Sequence, residues 1–355
     1  MNARIALILL VLLAVLGGGA LLYQYQERNR GPQNAGTLGR NLLKDLKAAE
    51  VAAIRIVEPR TGQSQSTLTV QKKGERWVLA ERGDFPADVA KVREFVLQAL
   101  SLKVGQSEPI GEKDRARLNL DDSGTRVEFL GAEGKPLTRL VVGRKHFKRE
   151  VDNPDKARAD GRFVALPEEP GVVYLVSNPL EQATVRSAEW IDKRSFLVEK
   201  VKTLEVRPAD GGSWRIERAG DNADWRLADA KEGEKLDSGR ANAASYSLGL
   251  LELADVAPKG SALESPTVIH ATTLDGLSYS IRVGKPQGEH HPVTFSASGT
   301  VRKDDKDAER IKKLEERLPH EKLLSDYVLL IPKGKLEDTL RKRTELLEKK
   351  GEAKK

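Results

Sequence analysis

The sequence predicts an α+β protein: two tandem repeats of a mainly antiparallel sheet with packed helices, preceded by one transmembrane helix. Three observations carry this. Short apolar segments that run from Val51 recur in the same order from Val201. Within each copy the apolar period switches between two and about 3.6 residues, the signatures of strand and helix. One long uncharged run stands at the N-terminus.

That run, Ile5 to Leu22, holds 18 residues without a charge, the lower end of what crosses a hydrocarbon core as a helix. Tyr23 and Tyr25 follow, where aromatic rings favour the headgroup layer. The expectation is a transmembrane signal anchor over residues 1–26, with residues 5–22 in the membrane. The competing reading is a signal peptide cleaved near Gly18-Gly19-Ala20. Ala14 and Gly18 share a helix face and would admit another such helix, leaving room for a homo-oligomer, although glycines are common in spanning helices anyway. Arg4 before the run and Arg28 and Arg30 after it leave the basic-residue rule nearly silent. A very short N-terminal tail ahead of a large hydrophilic region resembles an uncleaved signal anchor, with the bulk of the chain outside the cytoplasmic membrane.

Residues 27–48 read as a tether, because Arg30 to Gly39 is rich in Gly, Pro, Asn and Gln. The first repeat domain is expected over 49–198. Alternation predicts strands at Val51–Val57, Thr67–Gln71 and Trp77–Ala80, separated by turn-rich gaps. Pro86 opens a helix whose Val89, Val92, Val96 and Ala99 or Leu100 share a face. Strands follow at Arg126–Leu130, Thr138–Val142, Arg162–Ala165 and Val172–Val176. Asn178-Pro179 then starts a short helix through Thr184.

The second repeat domain is expected over 199–345. Val201-x-x-Leu204-Glu-Val206, Trp214-Arg-Ile216 and Trp225-Arg-Leu227 answer Val51-x-x-Ile54-Arg-Ile56, Leu68-Thr-Val70 and Trp77-Val-Leu79. Ile281-Arg-Val283-Gly284 answers Leu140-Val-Val142-Gly143, and Val328 to Ile331 answers Val173 to Val176. A helical insert, 304–318, carries Ala308, Ile311, Leu314 and Leu318 as a narrow apolar stripe that Pro319 ends. The stripe packs on its own domain or, on the sharper reading, on a partner helix. Leu336 to Lys350 reads as another charged helix, and 346–355 as a charged tail.

Two domains suit the length of 355 residues and the 39% apolar content. The excess of 60 basic over 53 acidic residues is spread along the chain, and no concentrated basic stripe or recognisable module points to nucleic acid. With no cysteine, disulfides, thiolate metal sites and cysteine nucleophiles are excluded.

Candidate chemistry is thin. There is no phosphate-binding glycine loop followed by Lys-Ser or Lys-Thr, and no Gly-x-Ser-x-Gly elbow. Gly131 to Lys135 reads as a hairpin turn. Glu289-His290-His291 is the densest cluster, and it reads as a solvated loop and not a metal site. Asp121-Asp122 and Asp304-Asp305 are paired carboxylates without the desolvation that acid-base work needs. Trp77, Trp225, Trp214 and Trp190 are read as core. No catalytic, cofactor-binding or metal residue is therefore assigned, and no cofactor is expected.

Several motifs in order resemble a known family. Trp77-Val-Leu79, Phe85-Pro86-Ala87-Asp88, Leu100-x-Leu102-Lys-Val104, Leu118-Asn-Leu120-Asp121, Val142-Gly143-Arg-Lys145, and Val173-Tyr-Leu-Val-Ser with Pro179-Leu180 together are similar to the domain-of-unknown-function 4340 family of bacterial envelope proteins. The second copy departs by its insert and by Asp237-Ser238-Gly239 in place of the Pro-Ala-Asp helix start. The resemblance implies a single-pass protein of the bacterial inner membrane, mostly periplasmic or extracytoplasmic, associated with gliding-motility-type ABC transporters. Its implied partners are the transporter permease or auxiliary subunits, and it supplies no catalytic residues. The expected function is a non-enzymatic accessory or scaffold acting by protein contact. The alternatives are a module that binds envelope polymer or lipid in a groove between the copies, and a hydrolase built on His290 and His291.

Overall fold

Alternating apolar side chains on both copies condense into two mostly antiparallel sheets, described by a computed structural model over residues 38–60, 63–150, 153–301 and 308–348. The first copy contributes β1 (Ala53–Arg60), β2 (Gln63–Lys73), β3 (Arg76–Leu79), β4 (Phe85–Pro86), β5 (Val104–Pro109), β6 (Thr125–Leu130), β7 (Pro136–Glu150), β8 (Asn153–Ala165) and β9 (Val172–Val176). The second contributes β10 (Val201–Arg207), β11 (Trp214–Glu217), β12 (Arg226–Leu227), β13 (Asp255–Val256), β14 (Thr267–Thr273), β15 (Leu277–Val283), β16 (His290–Gly299) and β17 (Leu329–Pro332).

The strand orders are β4-β3-β2-β1-β6-β7-β8-β9-β5 and β12-β11-β10-β14-β15-β16-β17-β13. Apart from the extra β4, they are the same order. In each copy the strand that follows a helix skips to the far edge to pair with the copy's last strand, β5 on β9 and β13 on β17. Nothing in the local apolar pattern of Val104–Pro109 announces this crossover, because only Val104 and Ser107 of that strand are buried.

The fold expectation is corrected on its membrane element. Among the described residues no helix is long and apolar enough to cross a membrane, and Ile5 to Leu22 lies outside the described residues. The longest described helix, Ala308–Leu324, has 17 residues, roughly 26 Å at 1.5 Å per residue. That is short of a core of about 30 Å, and the helix carries Glu309, Arg310, Lys312, Lys313, Glu315, Glu316 and Arg317. The α part of α+β amounts to a few short helices beside two dominant sheets.

By contacts the chain divides into two compact units, Met1–Ala48 with Leu97–Arg126 and Thr138–Glu181, and Ala49–Val96 with Val127–Leu137 and Gln182–Lys355. In the first unit, β9 pairs with β5 on one side and β8 on the other, with Phe163 opposite Leu175. Leu120, Val141, Ala165 and Val173 form a buried cluster covered by Ile110, Leu118 and Phe163. Asn178-Pro179 does not open a helix. Asn178 Oδ1 accepts the Leu180 N–H at 2.7 Å, and Leu180 takes a positive φ of 47°, so the side chain closes a local turn that competes with helix.

In the second unit, β1 and β2 place Ile54 opposite Val70 and Ile56 opposite Leu68, all buried. Asp88 caps the helix Val89–Leu100 by accepting from the N–H groups of Ala90 and Lys91 at 2.9 and 3.3 Å. Pro86 belongs to β4 instead. The buried helix face is Val92, Phe95, Val96 and Ala99, whereas Val89 is exposed. Phe95 stacks on Phe129 and meets Trp190 edge-on, with centroids 5.9 and 5.2 Å apart.

The second sheet pairs Val206 with Trp214, Leu204 with Ala271, Ile269 with Ile281, and Ile281 with Phe295. Pro319 does not end its helix, which runs on to Leu324 because Glu321 and Leu324 beyond it are buried. The tail from Leu336 is not one long helix either. It holds Lys333–Leu336 and a single turn at Arg343–Glu345, and Leu347 returns to bridge Leu236.

Candidate functional site

The second unit carries a cleft of about 820 Å³ whose walls come from residues 198–201, 218–222, 242–250 and Arg310. One of its lining residues, Arg218, belongs to an aromatic–cation stack. Arg218 donates to Val201 O at 2.7 Å and to Asp221 Oδ1 at 2.8 Å, and its guanidinium lies 4.8 Å from the centre of the Trp225 ring. Trp225 Nε1 in turn donates to Asn242 Oδ1 at 2.9 Å, which ties the stack to the helix Ser238–Tyr246. Asp237 caps that helix by accepting the Arg240 N–H at 3.1 Å. So Asp237-Ser238-Gly239, which lacks the proline of the first copy, is still a helix start. The helix then leads directly to Tyr246, 73% exposed, and Leu250, 54% exposed, both on the cleft wall.

The cations on the wall have internal carboxylates. Arg310 binds Asp275 at 2.5 and 3.3 Å, and Lys200 lies 3.9 Å from the same carboxylate. A second hollow of about 440 Å³ shares Glu199 and Arg310 with the cleft and is lined further by Arg317 and Leu314.

Behind this wall lies a buried polar network. Glu321 is fully buried. It accepts from Tyr279 Oη at 2.9 Å and from the Leu197 N–H at 3.2 Å. Arg317 Nε stands 2.8 Å from its carboxylate without hydrogen-bond alignment. Arg317 donates instead to Glu199 at 2.8 Å and to Leu197 O at 3.0 Å. Desolvation raises the Glu321 carboxyl above its ordinary range, outweighing the opposing pull of Arg317, the Leu197 N–H and the Tyr279 hydroxyl. Tyr279 is also raised, first by burial and then by the neighbouring Glu321 charge.

The residues singled out in the sequence sit elsewhere. Glu289-His290-His291 is no free loop: His290 and His291 open β16, His291 Nδ1 lies 2.9 Å from Gly284 O, and Glu289 pairs with Lys333 at 3.1 Å. Asp121 accepts from Ser123 N and Oγ at 3.0 and 2.5 Å, bonds that hold its carboxyl below the usual range. Asp122 reaches Arg126 at 3.5 Å, and Asp304-Asp305 lies outside the described residues. Among the described residues no group of three or more His, Asp or Glu could hold a metal ion. Trp190, Trp214 and Trp225 are buried, and each indole N–H has an acceptor; Trp77 is half-buried. The sequence reading missed Tyr246, Leu250, Tyr279, Arg317 and Glu321. Only the short apolar sequence Tyr246-Ser-Leu-Gly-Leu250-Leu, too apolar for a solvated helix end, could have signalled the lip.

Two sheets of one strand order, with a mixed polar and aromatic cleft in the second copy, define a duplicated, mostly antiparallel β protein with short helices. The model of the domain of unknown function (DUF4340) matches residues 77–275, more than half of the chain, and the chain belongs to this family. No curated protein and no solved structure matches it. The match begins at Trp77 and ends at Asp275, so it takes in the cleft walls at 198–201, 218–222 and 242–250 and leaves out Arg310.

Proposed function

We propose that the chain is a non-enzymatic accessory or scaffold protein of an ABC-type transporter assembly, acting by protein contact on the extracytoplasmic side of a bacterial membrane. Its contact site is the cleft lip. The observation that carries this reading is the exposure of Tyr246 and Leu250, 73% and 54%, at one cleft whose helix is capped and tethered. Large apolar side chains exposed together mark interaction sites, and tyrosine on a rigid element supplies contact area with little conformational entropy to lose. Internal pairing of Arg218 and Arg310 favours an uncharged partner surface over an anionic lipid one. The transporter association rests on the family resemblance alone.

The test places a photo-crosslinking residue at Ala243, on the same cleft, in the full chain in native membranes. An adduct with a transporter permease or auxiliary subunit is expected. Tyr246→Ser with Leu250→Ser should cut its yield by at least about tenfold, as loss of a contact anchor typically does. An adduct with none of those subunits, or one indifferent to both substitutions, would overturn the reading.

A further inference from the structure

The helix Ala308–Leu324 supplies the cleft wall through Arg310. Its own attachment is in large part polar. Leu314 and Leu324 are its buried apolar anchors, with Ile311, Leu318 and Leu323 half-buried beside them. To these are added Arg310 on Asp275, Arg317 on Glu199 and Leu197 O, and Glu321 on Tyr279 and the Leu197 N–H. Burying an ionised carboxylate is costly unless its partners fully compensate, and breaking such a site exposes the imbalance. Here the charge partner is imperfectly aimed, since Arg317 Nε makes no hydrogen bond to Glu321.

We propose that this helix is a proton-gated latch: its docking through Glu321 sets the wall of the cleft, and a proton on that carboxyl tightens the docking. This deepens the contact-site reading and rests on it only for the cleft's use. The groups facing Glu321 are Arg317 and His320 on its own helix, Tyr279 on β15, and the Leu197 N–H on the segment ahead of β10. Glu199 reaches it through Arg317. Burial favours the protonated carboxyl in the docked state. A carboxyl raised on docking favours the docked helix at acid pH, and that advantage is lost as pH rises through the docked-state value. The direction is opposite to ordinary acid weakening of surface ion pairs. Undocking frees both backbone polar groups of Leu197, which the helix side chains now occupy.

Hydrogen exchange of the amides of residues 308–324, in the full chain without a partner, tests this from pH 4 to 8 after correction for intrinsic exchange chemistry. Wild-type protection should fall with rising pH. The fall approaches about tenfold for each tenfold by which docking tightens the proton's hold. Glu321→Gln should keep the acid-side protection throughout. Tyr279→Phe removes a donor that favours the carboxylate, so its drop should move to higher pH, which preserves the test if the glutamine variant folds poorly. Protection flat with pH in wild type, or an unchanged drop in Glu321→Gln, would overturn the latch. Because no partner is present, failure here leaves the crosslinking result at Ala243 standing, and the converse also holds.

Discussion

Replacing Gly143 with alanine probes the two family motifs at the point where they touch. A Cβ on Gly143 would stand 2.3 Å from Leu118 O and 2.7 Å from Leu120 Cδ2. The first of these is backbone, and Leu118 O is already fixed as acceptor of the Arg144 N–H at 2.9 Å. Leu120 is fully buried in the first unit's cluster. The new atom falls about 0.7 Å short of the 3.0 Å that Cβ contacts keep, so strand and loop must part. Overpacking a fixed site costs about 1–3 kcal/mol, a fivefold to more than hundredfold change in local opening.

Tryptophan fluorescence would miss it, because Trp77, Trp190, Trp214 and Trp225 all belong to the second unit. Hydrogen exchange of β7 and β9 amides reads the correct unit. Gly171→Ala is the control, since a Cβ there meets nothing within 4 Å; it should be neutral or stabilise by about 0.4–1 kcal/mol. Equal protection in Gly143→Ala and wild type would refute the close-approach account of Val142-Gly143.

Two further outcomes follow from the second unit. Trp225→Phe removes the donor to Asn242 and weakens the platform under Arg218; because Asn242 is exposed and water can replace the donor, thermal melting should show a loss of about 0.5–1.5 kcal/mol for the hydrogen bond, and an unchanged melt would contradict the tether. Glu234 is held at about 2 by hydrogen bonds from Arg343 and the Lys231 N–H. A lowered carboxyl stabilises above its free value and loses that contribution as pH falls from about 4.5 towards 2. Exchange at 343–348 should therefore quicken over that window in wild type but not in Glu234→Gln, and parallel profiles would exclude the pair as the cause.

How much was legible in the sequence varies element by element. Ile54, Ile56, Leu68 and Val70 alternate along the chain and lie buried on paired strands, because the pleat itself sends every second side chain to one face. Asp88 and Asp237 cap their helices for an equally local reason, each side chain bonding an N–H two or three residues ahead, but the proline at 86 drew the expected start of the first helix to itself although it lies in β4. Pro319 misled because a local penalty was outweighed by the distant partners of Glu321 and Leu324. Asn178-Pro179 misled in the other direction, since the asparagine side chain satisfied the turn before any helix could form. Beyond the apolar stretch at its lip the cleft could not be read, as its walls come from stretches between residues 198 and 310 that have no shared period.

What the sequence determined by itself was the duplication, the positions of most strands and the family motifs, all properties of neighbouring residues and their periodicity. Tertiary structure alone decided that β5 and β13 cross to a sheet edge, that Gly143 must admit the Leu118–Leu120 loop, and that Tyr246 is left exposed while Glu321 is buried. The physical reason is that burial and close approach depend on which distant segment arrives, and a local pattern records only which face of its own element is apolar.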